Sequence, residues 1–418
     1  MVGSKKLSVF LNFILLSSII LDPTNTILHI KDIVFVLFIL VSFSFVDCKY
    51  YFVPVTLLTV FFISFSFGIL TSQDIDFAMT VGILKSFIFL LYMFWVPCGY
   101  LNVFKSFYHI SLAMAVLEIA IYFLISFFPI VEAGIYLFMR NHGDTVGLAS
   151  RNFYGIKYFM VFYKTSPILV ITLCFSLVNF YKQRSFKYIT HTLVFVVALF
   201  ISGTRANMFS CVLLVLITFI LYKFYCKKNL FFTASSLCIF ILLAFGTTVF
   251  LLTAQESSTE IKTGHLNSFF LLFGESPVKY ALVGAGPGAK MYSSGFGEVV
   301  SLTELTYLEL IKNFGFVQTV LIIVLFLLPL LNYFNNKNYD NFSKISLTFG
   351  YIAYLFIAGT NPLLIGSTGF TVVAIVFYMS IGNVFLETDS CSVKVKNKKF
   401  LSFVFKYRTP FYLKRTSM

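Results

Sequence analysis

The chain has 418 residues, of which 59% are hydrophobic, 19% aromatic and only 11% charged, with a net charge of +14. This composition excludes a soluble globular domain and marks a polytopic membrane protein. The basic residues sort by side of the membrane instead of forming one patch, so no nucleic-acid partner is expected.

Backbone polar groups in hydrocarbon must be satisfied within the segment, and a closed barrel would read as short alternating runs; the long apolar runs are therefore helices. The N-terminal MVGSKKLSVFLNFILLSSIILDP resembles a secretory signal, but no small-residue cleavage site follows Leu21. It is read as the first span. Apolar runs at about 7–21, 28–46, 51–70, 81–100, 107–129, 165–181, 188–202, 206–225, 229–253, 304–334, 344–360 and 363–385 predict an all-α membrane domain over about 1–385, with about twelve spans. A basic tail occupies 386–418, and its mixture of Lys and Arg with Phe and Tyr suits an anionic lipid surface.

Short loops on the N-terminal side carry Lys49, Lys105, Lys182, Arg184, Lys187, Lys223, Lys227, Lys228 and Lys337, whereas the opposite short loops hold little but Lys31 and Arg205. This asymmetry places both termini in the cytoplasm and two long loops, about 130–164 and 254–303, outside. The seven cysteines lie in spans or on the cytoplasmic side, so no external disulfide framework is expected. The sequence carries no convincing internal repeat of the kind found in many transporters.

Glu118 falls near the middle of the fifth span. Two readings apply, a hydrogen-bonded carboxyl facing other helices or a member of a proton relay. The first outside loop then places Arg140, Arg151, Lys157 and Lys164 on the side where cations are disfavoured, which points to an anionic ligand. Gly155 and the surrounding aromatics suggest that Arg151 belongs to a partly buried re-entrant segment; a solvated loop with chance basic residues is the alternative.

In the next outside hairpin, SGTRAN at 202–207, Ser202, Gly203 and Thr204 are turn and N-cap residues, and Arg205 falls in the first turn of the following helix. A cation there opposes the helix dipole, so capping does not account for it. It suits an anion held jointly by the guanidinium and free helix N–H groups, or a snorkelling interfacial Arg.

Within the second outside loop, HLNSFFLLF and VKYALV have apolar faces suited to the bilayer surface. His265 is either an acid/base group or a polar surface residue, and Lys290 is an auxiliary cation. GAGPG at 284–288 lacks the Lys-Ser/Thr of a P-loop and is read as a turn permitting close backbone approach. A helix opening at about Leu302 would set Glu304 and Tyr307 on one face, with Glu309 elsewhere. Glu304 there either complements the helix dipole or supplies a carboxylate for chemistry where lipid meets water.

The order of SGTRAN, the GAGPG turn, Glu304, Tyr307-Leu308-Glu309 and Gly315 over residues 140–330 resembles the bacterial O-antigen polymerase family and the related O-antigen ligases. Ligases carry a pattern like His-Asn-x-Tyr-Leu where this chain has Glu304-Leu305-Thr306-Tyr307-Leu308, which favours the polymerase. The resemblance implies a GT-C-like fold and an inverting glycosyltransferase of the bacterial inner membrane, using neither metal nor cofactor. Its substrates would be undecaprenyl diphosphate-linked saccharides at the periplasmic face, with membrane lipids and a chain-length regulator protein as partners. Glu304 would be the general base, and Arg151, Arg205, Tyr307, Arg140 and Lys164 would hold the diphosphates. A ligase remains one alternative and a polysaccharide or lipid flippase another, the flippase being disfavoured by the polar residues gathered outside.

Overall fold

Burial of unbroken apolar sequence dictates helices, and the chain is mostly helical. The computed structural model describes residues 2–47, 51–71, 74–97, 101–142, 145–153, 156–227 and 257–382. The expected span at 229–253 and the tail at 386–418 lie outside the described residues.

Nine helices lead up to the 228–256 stretch: α1 Val2–Leu21, α2 Lys31–Ser42, α3 Phe52–Leu70, α4 Phe77–Ile88 (extended by a 3-10 turn, Phe89–Phe94), α5 Val103–Phe127, α6 Pro129–Asn141, α7 Leu169–Gln183, α8 Phe186–Ile201 and α9 Arg205–Lys227. Six follow it: α10 Ser257–Glu275, α11 Pro277–Leu282, α12 Thr306–Phe314, α13 Phe316–Asn335, α14 Asn341–Gly359 and α15 Ser367–Ile381. Short 3-10 turns at Phe43–Phe45 and Ser166–Ile168 and two antiparallel hairpins complete the described elements, β1 Val146–Phe153 with β2 Ile156–Tyr163, and β3 Met291–Ser293 with β4 Glu298–Val300.

Among the described residues, seven segments are long and apolar enough to cross a membrane: Ser4–Leu21, Phe52–Leu70, Phe77–Phe94, Val103–Phe127, Arg205–Tyr225, Phe316–Asn335 and Asn341–Gly359. Twelve spans are not shown among the described residues: the run at 229–253 lies outside them, and several others are only partly helical. The run at 28–46 is an α-helix only over Lys31–Ser42, and α7, α8 and α15 are shorter than a full span. α7 and α15 are instead apolar all round and buried along almost their whole length, as central helices must be. α7 lies so close to α14 that a Cβ on Gly350 would sit 2.8 Å from that of Cys174. Cys174 and Cys211 are free and buried.

Tertiary contacts sort the connections into two faces. On one, Thr165 Oγ1 donates to Ile20 O at 2.8 Å, tying the end of α1 to the β1–β2 hairpin, and Lys31 Nζ donates to Pro23 O and, at 3.1 Å, to Ser367 Oγ. Lys31 is thus a structural cation between α2 and α15. On the other face Lys182 pairs with Asp340, and Arg184 donates to Tyr222 Oη.

Three expectations are corrected. The single span at 304–334 is two helices, α12 and α13, broken at Gly315, whose φ is +78°. The break exists because Gly315 abuts Gly284, with a Cβ on either closer than 3 Å to the other's backbone nitrogen, and only glycine allows two chains to meet this way. The helix expected from Leu302 begins at Thr306, which leaves Glu304 in the bend before it. The re-entrant segment expected around Arg151 is a β-hairpin paired from Val146↔Tyr163 to Phe153↔Ile156.

GAGPG behaves as the turn expected of it. Ala285 N donates to Lys312 O at 2.7 Å, Gly286 N donates to Asn313 O at 3.1 Å, and Thr80 Oγ1 donates to Pro287 O at 2.8 Å. The loop therefore fastens α12 to the α3–α4 pair.

Candidate functional site

Arg205 owes its position to the turn in front of it. Gly203 has φ +65°, and a Cβ there would collide with Met160 of β2, so the hairpin rests directly on this turn. Asn207 Nδ2 donates to Ser202 Oγ at 2.9 Å, and Asn207 N donates to Thr204 Oγ1 at 3.4 Å, capping α9 as the sequence predicts. Arg205 thus stands at the head of a membrane helix with the hairpin alongside.

Glu304 is positioned by a buried ion pair one turn into α12. Glu309 and Lys312, at i and i+3, are 0% and 1% exposed, with Lys312 Nζ 2.8 Å from Glu309 Oε2. Glu309 Oε1 accepts from Thr303 N at 2.8 Å, and Lys312 Nζ donates to Ser301 O at 2.9 Å. Both charges are compensated, and together they fix the 301–303 backbone that presents Glu304.

These parts converge on one cleft of about 840 Å³, within the size range of small-molecule sites. Arg205, Lys262, Glu304 and Tyr307 line it, with Leu148, Phe162, Phe209 and Phe356 giving an apolar wall. Lys262 Nζ, from α10, lies 3.6 Å from Glu304 Oε2 and donates to Thr360 O at 3.4 Å. Both side chains of this pair are about a third exposed, so it contributes under ~1 kcal/mol to stability and is easily exchanged for a ligand. The cleft joins two cations and one carboxylate at a bundle end, an arrangement able to hold an anion beside a proton acceptor.

Tyr307 reaches the cleft with its hydroxyl already committed. It donates to Leu355 O at 2.8 Å, and burial pushes its pKa up to about 12. Its one proton is spent on the backbone, so its part at the wall is packing. Gly359 makes room for the ring, and a Cβ there would collide with it.

The other expected residues stand elsewhere. Arg151 lies in β1 opposite Tyr158, two residues beyond Ala149 of the cleft wall; its side chain lies outside the described residues. Arg140 is exposed in the last turn of α6. Lys164 sits at the hairpin base, its N–H donating to Thr145 O at 2.9 Å. Lys290 pairs with Asp74 at 3.1 Å. None of these three lines the cleft.

His265 is buried behind it, around α10 from Lys262 and Leu266. Its Nδ1 shares a hydrogen bond with Ser293 Oγ at 2.6 Å, and its ring stands edge-on to Phe296, 4.5 Å between centroids. Desolvation lowers its pKa despite the raising influence of Glu304 and Glu309, so it is a neutral core imidazole. Glu118 does not line the cleft; it is buried, with Oε1 accepting from Ser166 Oγ at 3.1 Å.

Sequence reasoning did not single out Lys262 or Lys312, and it gave Glu309 no role beyond pointing away from Glu304. The signal for the last two was present in TYLELIK, since a carboxylate and an ammonium at i, i+3 in a helix otherwise packed with apolar residues are placed to neutralise each other. Nothing local marked Lys262, because its partner comes from a segment some forty residues later. Comparison with models of protein families and with curated proteins found no match to this chain.

Proposed function

We propose that the chain is a polymerase of bacterial surface polysaccharide, joining undecaprenyl diphosphate-linked oligosaccharide repeat units at the periplasmic face of the inner membrane. The reading rests on the resemblance to the O-antigen polymerases and on one observation, the convergence of Arg205, Lys262 and Glu304 in a single cleft at the end of a membrane bundle. A flippase needs its charges along a path through the bundle. Here they meet at one end of it.

In the proposed reaction, an acceptor sugar hydroxyl attacks the anomeric carbon of the donor glycan. The new glycosidic C–O bond forms as the anomeric C–O bond to the lipid diphosphate breaks; the bonding pair leaves with the diphosphate, and the hydroxyl proton passes to Glu304. One displacement inverts the anomeric centre. Arg205, with its forked donors, binds the diphosphate and stabilises the charge that develops on it. Lys262 moves from Glu304 toward the incoming diphosphate, which releases a carboxylate oxygen for the acceptor hydroxyl. Arg151, on the strand that forms one wall, supplies a further cation to the second lipid-linked substrate. The apolar wall accommodates the lipid-proximal part of each substrate.

The test uses purified protein with a lipid-linked repeat unit and no other protein. Longer lipid-linked oligosaccharides with inverted anomeric configuration are expected, and Glu304→Gln and Arg205→Ala should each abolish them at normal expression. Full-length ladders from both variants would overturn the mechanism.

A further inference from the structure

The face opposite the cleft carries a cluster of two lysines and two histidines that the proposed reaction does not use. α5 and α8 run side by side from the same end, joined where Tyr108 Oη meets His191 Nδ1 at 2.8 Å and where the Tyr108 and Phe195 rings touch edge to face, 5.7 Å between centroids. At this end stand Lys105 and His109 on α5, and Lys187 and His191 on α8. Lys187 and Lys105 both act electrostatically on His109, and Lys187 and His109 both act on His191, so the four groups occupy one small area. Among the described residues, no acidic group is among the charges felt by either imidazole. Nearby cations on the same face are matched differently, Lys182 by Asp340 and Arg184 by Tyr222.

Position turns this charge into a site. Lys105, His109 and Lys187 are exposed, and in line below them the same two helices present apolar side chains, exposed Val116 on α5 and half-buried Val194 on α8 among them. Phe186, 80% exposed, stands beside Lys187 at the start of α8. Lys105 and Lys187 repel each other across this small area unless an anion lies between them, and the imidazoles of His109 and His191 can offer it ring N–H donors. An anion that also brings apolar chains to cover the helix faces below is an anionic phospholipid.

The geometry points to a binding site for an anionic phospholipid at the head of the α5–α8 groove, its phosphate among Lys105, His109, Lys187 and His191 and its acyl chains against the apolar faces beneath. The site is distinct from the cleft and does not depend on the reaction proposed there. Its occupant adds to the link between α5 and α8 that Tyr108 and His191 make at this end.

The full chain, reconstituted in phosphatidylcholine vesicles with a trace of photoactivatable phosphatidylglycerol or photoactivatable phosphatidylcholine, tests this by mapping the crosslinked peptides. The phosphatidylglycerol probe is expected to label peptides from the starts of α5 and α8 in at least tenfold excess over the phosphatidylcholine probe. Lys105→Gln with Lys187→Gln should cut that labelling about tenfold or more, whereas Lys105→Arg with Lys187→Arg, and the control Lys85→Gln, should preserve it. Equal labelling by the two probes, or labelling unchanged in the double Gln variant, would overturn the site. Displacement of the lipid probe by millimolar inorganic phosphate would show a site for the free ion and overturn the lipid assignment.

Discussion

Replacement of Lys312 by Met is the most searching perturbation of the structure around Glu304. At an effective dielectric of about 20, charges separated by the observed 2.8 Å attract by about 6 kcal/mol. Desolvation offsets much of this, but removal of one partner strands the other charge in the interior, which typically costs about 3–5 kcal/mol. Lys312→Met leaves Glu309 with only the Thr303 N–H and removes the donor to Ser301 O. The double variant Glu309→Gln with Lys312→Met removes both charges while keeping an acceptor for Thr303 N, so it should be less destabilised than the single change by at least about 2 kcal/mol. The assay is unfolding in detergent followed through the thiol reactivity of buried Cys174 and Cys211, in a background where Cys48, Cys98, Cys226, Cys238 and Cys391 are changed to Ser. If the single variant is within about 0.5 kcal/mol of the parent, or the double variant is the less stable of the two, the ion pair does not hold the 301–303 segment as argued.

Three further outcomes are expected. Gly359→Ala drives a Cβ into the Tyr307 ring and should cost about 1–3 kcal/mol, while Gly82→Ala, with open space around its added carbon, should be neutral or stabilising; the same unfolding assay compares them. Because the fold depresses the pKa of His265, the unfolded chain takes up a proton first as the medium is acidified. The stability His265 contributes is therefore full above about pH 6.5 and is lost as pH falls through its folded value, so unfolding between pH 7.5 and 5 should be less pH-dependent in His265→Gln. Lys262→Met should leave stability within about 1 kcal/mol of the parent yet lower turnover of a lipid-linked repeat unit at least tenfold, and unchanged turnover would remove Lys262 from the site.

The sequence alone determined that this is a helical membrane protein, because unbroken apolar runs have no other way to satisfy their backbone in hydrocarbon. Local chemistry was legible too. Gly203, Thr204 and Arg205 are the turn, cap and first helical residue that their types imply, and GAGPG is a close-approach turn. Glu304, Tyr307 and Arg205 do share one cleft. Tertiary structure alone decided which apolar runs become full helices, since a run such as 28–46 satisfies hydropathy whether or not its N-terminal end turns away to meet Asp22, Pro23 and Ser367. It alone placed the break at Gly315, because the reason for that glycine is the approach of Gly284, which no local pattern records. It separated Arg140, Lys164 and Lys290 from the cleft and brought Lys262 into it, for charges far apart in sequence meet only where packing carries them. The backbone that presents Glu304 is held by Glu309 and Lys312, and that dependence is a property of the folded segment from 301 to 312.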